Sequence, residues 1–176
     1  MSKSFGIAFE KVGDKFRVHK SEKPTVDRDD KIEIDGKKYY VSDIKLPVRA
    51  DKRSAGYDFF LASDVEILPA QKTIIFTDVK AKMPDDVVLE LYIRSSLAVK
   101  QGLMLSNSVG IIDASYYSNP DNDGNIGIAV VNTSGKAIKL SKGDRIAQGI
   151  FKPYFLTDED SVLDEERKGG FGSSGK

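Results

Sequence analysis

A chain of 176 residues is the size of one domain with a sizeable core, since roughly 70% of the unfolded surface is buried at such a length. Lys+Arg and Asp+Glu balance at 27 each, which argues against the strong positive field that nucleic-acid backbones and anionic membranes select. Cysteine is absent and histidine occurs once, which excludes disulfides, thiolate sites, His-based triads and multi-histidine metal sites, fits a reducing cytoplasmic compartment, and leaves the chemistry to carboxylates, hydroxyls, Arg, Lys and the backbone.

The start, MSKSFGIAFEKVGDKF, lacks the continuous apolar core of a signal peptide, and no segment reaches the roughly 18 apolar residues of a membrane span. A soluble protein is expected. Residues 1–42 are polar and read as an appended, hairpin-like extension. His19, in KFRVHKSEK, reads as a solvated surface imidazole on a short exposed strand. Asp35-Gly36 between KIEI and KKYYV is the sharpest hairpin signal. IKLPVRA follows as the first core strand.

Beyond it, the runs VEIL, KTIIFTDV, VVLELYI, GIAVVN and RIAQGIF are rich in β-branched and aromatic residues. LPA, MPDD, NPDNDG, SGK and SKGD separate them with the Gly, Pro, Asn and Asp that turns require. Such a pattern predicts an all-β sandwich or barrel, not alternating strands and helices. One short helical turn is expected over Ser96–Gln101, ended by Gly102. The end, TDEDSVLDEERKGGFGSSGK, is acidic and then Gly/Ser-rich without periodicity, and by itself reads as a tail.

Four features carry possible chemistry. Ala55-Gly56-Tyr57-Asp58 places an acid just after a glycine at a strand start, where the backbone can be approached closely, or is simply a turn. Arg94-Ser95-Ser96 joins VVLELYI to the helical turn; it suits a phosphate, or equally a serine cap. Asp113, after the apolar Gly110-Ile111-Ile112, could serve as a base or merely initiate the turn of the YYSNPDNDGN hairpin. GGFGSSG in the tail combines amides, hydroxyls and one aromatic ring, enough to wrap an anion and stack on a planar base.

Taken in order, these segments resemble the five motifs of the trimeric dUTPase family over roughly residues 45–176. AGYDFF is similar to the first, RSSLAVKQGL to the second, NSVGIIDASYY to the third, GDRIAQ to the fourth and RKGGFGSSG to the fifth. The resemblance implies a distorted β-jelly-roll (β-clip) subunit, a homotrimer with active sites shared between subunits, and hydrolysis of dUTP to dUMP and pyrophosphate with Mg²⁺. It divides the chain into an amino-terminal extension (1–42), a core (43–157) and a C-terminal arm (158–176) that closes over a neighbouring subunit's site.

It also implies roles. Asp113 is the general base for in-line attack by water on the α-phosphorus. Tyr116 stacks on the deoxyribose and excludes a 2′-hydroxyl, while Asn107 and the backbone from Gly110 to Ile112 read the uracil edge. Arg94, Ser95, Ser96 and Gln148 hold the phosphates, and Asp58 orients magnesium-bound water without ligating the metal. In the arm, Phe171 covers the uracil, and Arg167, Gly172, Ser173 and Ser174 close on the γ-phosphate, with Lys168 able to share it.

Three departures stand out. The third-motif hairpin is about six residues longer than is usual, a form familiar from Gram-positive bacteria and their phages. The turn's glycine and acid map to Gly124 and Asn125, so the acid is replaced. The tail arginine stands one residue closer to Phe171 than is common, and residues 1–42 have no counterpart in the minimal family. Two other readings share the fold: a dCTP deaminase, which needs a glutamate that NIGIAVVN lacks, and a dUTP-binding regulatory protein with a protein partner, as a second role.

Overall fold

The computed structural model describes residues 6–25 and 30–161. The arm residues Arg167, Lys168, Phe171, Gly172, Ser173 and Ser174 lie outside the described residues. Fifteen strands and one α-helix are present among the described residues, in the order β1 (Ala8–Lys11), β2 (Lys20–Ser21), β3 (Asp30–Ile34), β4 (Lys37–Val41), β5 (Val48–Arg49), β6 (Tyr57–Phe60), β7 (Val65–Ile67), β8 (Lys72–Phe76), β9 (Val79–Lys82), β10 (Val87–Ile93), α1 (Ser95–Gln101), β11 (Leu103–Leu105), β12 (Gly110–Ile112), β13 (Gly127–Asn132), β14 (Ile138–Leu140) and β15 (Arg145–Pro153).

The strands form a distorted, all-antiparallel β-jelly roll. A five-stranded sheet of order β12-β10-β15-β6-β5 carries Asp58, Gly110, Ile112 and Gln148, and a three-stranded sheet β11-β13-β8 faces the same core. Alternation drives this arrangement: in β13 the residues Ile128, Val130 and Asn132 turn inward, and in β10 Leu89 and Leu91 do so, all at 1% exposure or less. Among the described residues no helix is long and apolar enough to cross a membrane.

Three sequence expectations are corrected. KTIIFTDV is not one strand, because Asp78 takes a left-handed backbone (φ 55°) and directs β8 and β9 into different sheets. IKLPVRA supplies only the two-residue β5, preceded by Pro47, which has no N–H to donate to a ladder. The first residues are not merely an appended hairpin. β1 pairs with β9 along its length, and Phe9 packs against Tyr57, Phe59 and Phe151 with ring centroids 5.3–5.4 Å away. Strands β2, β4 and β3 do form a separate sheet, in that order, whose β3–β4 turn has Asp35 and Gly36 both at positive φ, as a tight hairpin demands.

The expectation of a solvated His19 is also overturned. Its side chain is 12% exposed and its Nδ1 lies 3.0 Å from the Asp78 carboxylate. Asp78 is fully buried and also accepts the backbone N–H groups of Val18 and His19 and the Asn125 amide. Burial pushes the Asp78 carboxyl upward, but the His19 hydrogen bond and the two backbone donors outweigh it and hold the group below the ordinary aspartate range. The His19 side chain is mostly covered because one carboxylate collects its donors.

Candidate active site

Asp58 anchors the first half of the site. It sits on β6 opposite Gln148 of β15, which in turn faces Tyr92 of β10. Its side chain is almost wholly buried and forms ion pairs with Arg94 and, at 3.2 Å, with Arg145. Such a charge is tolerable only because both oxygens are paired. Each guanidinium commits one nitrogen to Asp58, leaving other donors of its planar fork for an incoming anion.

Gly56 brings Gln148 into this cluster. A Cβ at position 56 would stand 2.6 Å from Gln148 Oε1 and 3.2 Å from Gln148 Cβ, so the glycine noted in the sequence serves close approach of a side chain. Arg94 is the N-cap of α1, and no side chain caps the helix there. Ser95 and Ser96 therefore occupy its first turn as exposed residues, not as caps. Gly102 ends α1 in the left-handed conformation (φ 71°), its N–H reaching Ala98 O and Leu97 O. Beside the helix lies an open pocket of about 250 Å³ lined by Arg94, Ser96, Leu97, Gln101, Leu140, Asp144 and Arg145.

Sequence reasoning missed Arg145. Simple alternation puts residues 145 and 148 on opposite faces of a strand. The structure has a bulge between Arg145 and Ala147, so that Arg145 opposes Phe60 while Gln148 opposes Asp58, and both share the face of Asp58. The only signal was a charge at the head of RIAQGIF, within the GDRIAQ segment. Also unforeseen is the network of Glu90, Tyr92 and Lys152, in which Lys152 Nζ donates to Glu90 at 2.6 Å and to the Tyr92 hydroxyl at 3.0 Å. The Glu90 partnership raises Lys152 to about 12, and the same contact lowers Glu90.

The second half is the segment 107–116. Asn107 is exposed in the β11–β12 turn, where Ser108 has φ 64°. Gly110 is buried opposite Leu91, whose Cβ would be 3.1 Å from any side chain placed there. Ile112 closes β12, and half-buried Asp113 begins a 3₁₀ turn, its carbonyl accepting the Tyr116 N–H at 3.0 Å. Tyr116 is 4% exposed. Its hydroxyl donates to Asn125 O at 2.9 Å and accepts from Asn122 Nδ2 at 2.7 Å.

These two halves are not brought together within one chain. Ile112, the residue before Asp113, pairs with Leu89 of β10, five residues before Arg94, which at the rise of a strand is about 16 Å along the sheet. Arg94, Asp58, Gln148, Ser95 and Ser96 gather at one end of β10, whereas Asp113 and Tyr116 lie toward the other.

The replaced acid of the hairpin has a physical explanation. Asn125 is fully buried and bridges Asp78 twice, its Oδ1 accepting the Asp78 N–H and its Nδ2 donating to the carboxylate, both at 2.9 Å. An amide can do both, while an aspartate there would face a buried carboxylate.

Comparison with known proteins gives a consistent result. The profile of the dUTPase family matches residues 42–175. A deoxyuridine 5′-triphosphate nucleotidohydrolase of Lactococcus lactis is 43% identical over 139 residues, covering 78% of this chain and 93% of the relative. The crystal structure of the dUTPase from Streptococcus mutans superposes with a TM-score of 0.62 at 42% identity, covering 64% of this chain and 88% of that one. The dUTPase of the Staphylococcus aureus phage phi11 shares the fold at 22% identity, with a TM-score of 0.62 and coverage of 92% and 98%.

Proposed function

The chain belongs to the dUTPase family, and from that premise we propose how its residues hydrolyse dUTP to dUMP and pyrophosphate. The observation that carries the reading is the buried Asp58 paired with Arg94 and Arg145 beside Gln148 and the first turn of α1. In this reading the free donors of Arg94, the hydroxyls of Ser95 and Ser96, and the Gln148 amide hold the phosphate chain; Arg145 joins them. Asp113 accepts a proton from water as that water attacks the α-phosphorus in line. The new O–P bond forms while the bond to the bridging oxygen breaks, and pyrophosphate departs with that oxygen.

A general base must come within hydrogen-bond reach of its water. The roughly 16 Å along β10 between Arg94 and Leu89, the partner of Ile112, therefore supports a homotrimer whose sites are completed between subunits. Asn107 and the backbone from Gly110 to Ile112 read the uracil, and Tyr116 walls off the sugar. Residues 158–176 act as an arm that closes a neighbour's site with Arg167, Phe171, Gly172, Ser173 and Ser174; residues 43–157, joined by β1, form the core. The compartment proposed is the cytoplasm.

Magnesium prefers oxygen ligands, keeps several waters and engages phosphates with few protein groups. The buried Asp58 carboxylate beside the pocket fits that chemistry as the group that receives metal-bound water. When bound, the ion supplies neutralisation of charge on the triphosphate.

Pyrophosphate release from dUTP, dCTP, dTTP and UTP, each with and without Mg²⁺, tests the reading. Turnover of dUTP alone, dependent on Mg²⁺, is expected. Ammonia release from dCTP would instead point to deamination, for which β13 offers no acid.

A further inference from the structure

The lengthened hairpin after Asp113 is built around Tyr116. Asn119 Nδ2 donates to Tyr116 O at 2.9 Å and to Asn122 Oδ1 at 2.8 Å, and Asn119 Oδ1 accepts the N–H groups of Asp121 and Asn122 at 3.1 Å each. Asn122 Oδ1 also accepts the Gly124 N–H at 3.1 Å, and its Nδ2 reaches the Tyr116 hydroxyl at 2.7 Å. Gly124 (φ 80°) passes so near that a Cβ there would lie 2.8 Å from Tyr116 O. The hydroxyl of Tyr116 thus has both a donor and an acceptor inside the loop, and the ring cannot pivot without breaking two hydrogen bonds.

The loop itself is fastened from outside. Asp123 accepts the Gly13 N–H at 2.7 Å and pairs with Lys80 at 2.9 Å. These contacts reach back to the amino-terminal segment and to β9, so the hairpin cannot drift as a unit.

We propose that Asn122 is a positioning residue: it fixes Tyr116 and, through it, the discrimination between deoxyribose and ribose. The inference rests on Tyr116 being the sugar wall. A hydrophobic wall rejects an added hydroxyl only weakly, so rejection by a ring whose residue is only 4% exposed depends on where that ring is held. Asn122 supplies the direct side-chain contact from the added loop to the tip of the ring.

The test compares kcat and KM for dUTP and UTP in wild type, Asn122→Ala, Tyr116→Phe, the double variant and Tyr116→Ala, each checked for folding by circular dichroism. In Asn122→Ala the ratio of kcat/KM for dUTP over UTP falls about five- to ten-fold, as loss of one net hydrogen bond predicts. The loss on dUTP lies mainly in KM. In the Tyr116→Phe background Asn122→Ala adds little, since the contact is already gone.

A ratio that stays within about two-fold of wild type in Asn122→Ala but collapses in Tyr116→Ala overturns the inference and leaves the sugar-wall reading standing. A ratio unmoved by Tyr116→Ala overturns both. Should Asn122→Ala fail to fold, Tyr116→Phe removes the same contact from the ring side while keeping the ring, and a ratio within about two-fold of wild type in that variant overturns the inference.

Discussion

Gly56 and Gln148 are packed so closely that the smallest side chain at position 56 would place its Cβ 2.6 Å from the Gln148 amide oxygen. The first and fourth motif segments are thus one structural unit, in which the absence of a side chain sets the position of another. Gly56→Ala forces the Gln148 amide out of the Asp58 row. Because that amide is the end of a flexible side chain, the protein stays folded and loses about 1 kcal/mol. KM for dUTP is expected to rise about ten-fold, measured alongside the thermal midpoint.

Asp113→Ala removes the proposed base. Turnover of dUTP should fall by about 10²- to 10⁴-fold, while binding of a non-hydrolysable dUTP analogue, read by calorimetry, is largely retained. Normal pyrophosphate release by this variant would remove Asp113 from the mechanism.

The carboxylates Asp78 and Asp123 are both held below the ordinary aspartate value of 3.8. For Asp123, burial pushes the group up, but the Gly13 N–H and Lys80 outweigh it. A depressed folded value means that the stabilisation is complete above 3.8 and disappears as pH falls through the lower folded values. Thermal midpoints between pH 7 and pH 2 should therefore drop steeply only at the acid end. Asp78→Asn should flatten that drop, because one of the groups taking up a proton is gone.

Asn125→Asp restores the acid usual in this turn and sets it against the buried Asp78, with which Asn125 Nδ2 is in contact at 2.9 Å. One carboxylate must then take a proton or the pair repels. A loss of about 3 kcal/mol at neutral pH is expected from chemical denaturation. The deficit relative to wild type shrinks in acid, where a raised carboxyl is protonated in both states.

Removing residues 167–176 tests the proposed arm. Most turnover of dUTP should vanish while the oligomer persists by size-exclusion chromatography. An unchanged rate would exclude Arg167, Phe171, Gly172, Ser173 and Ser174 from the site.

Much of the architecture was legible because strand and turn chemistry are local. The alternation in GIAVVN and VVLELYI, the Asp35-Gly36 turn and the Gly102 helix stop depend on residues a few positions apart, and each lies where its sequence indicated. The order of five short motifs identified the family for the same reason, since each motif is contiguous. What the sequence could not fix depended on contacts between distant segments. His19 is drawn in from the surface, its side chain 12% exposed, because Asp78, 59 residues away, gathers its donors. Arg145 joins Asp58 because one bulge reverses the face it presents. Tertiary register likewise decided that Ile112, the neighbour of Asp113, pairs about 16 Å along β10 from Arg94: periodicity says which face a residue takes, but only the pairing of strands says which residues meet.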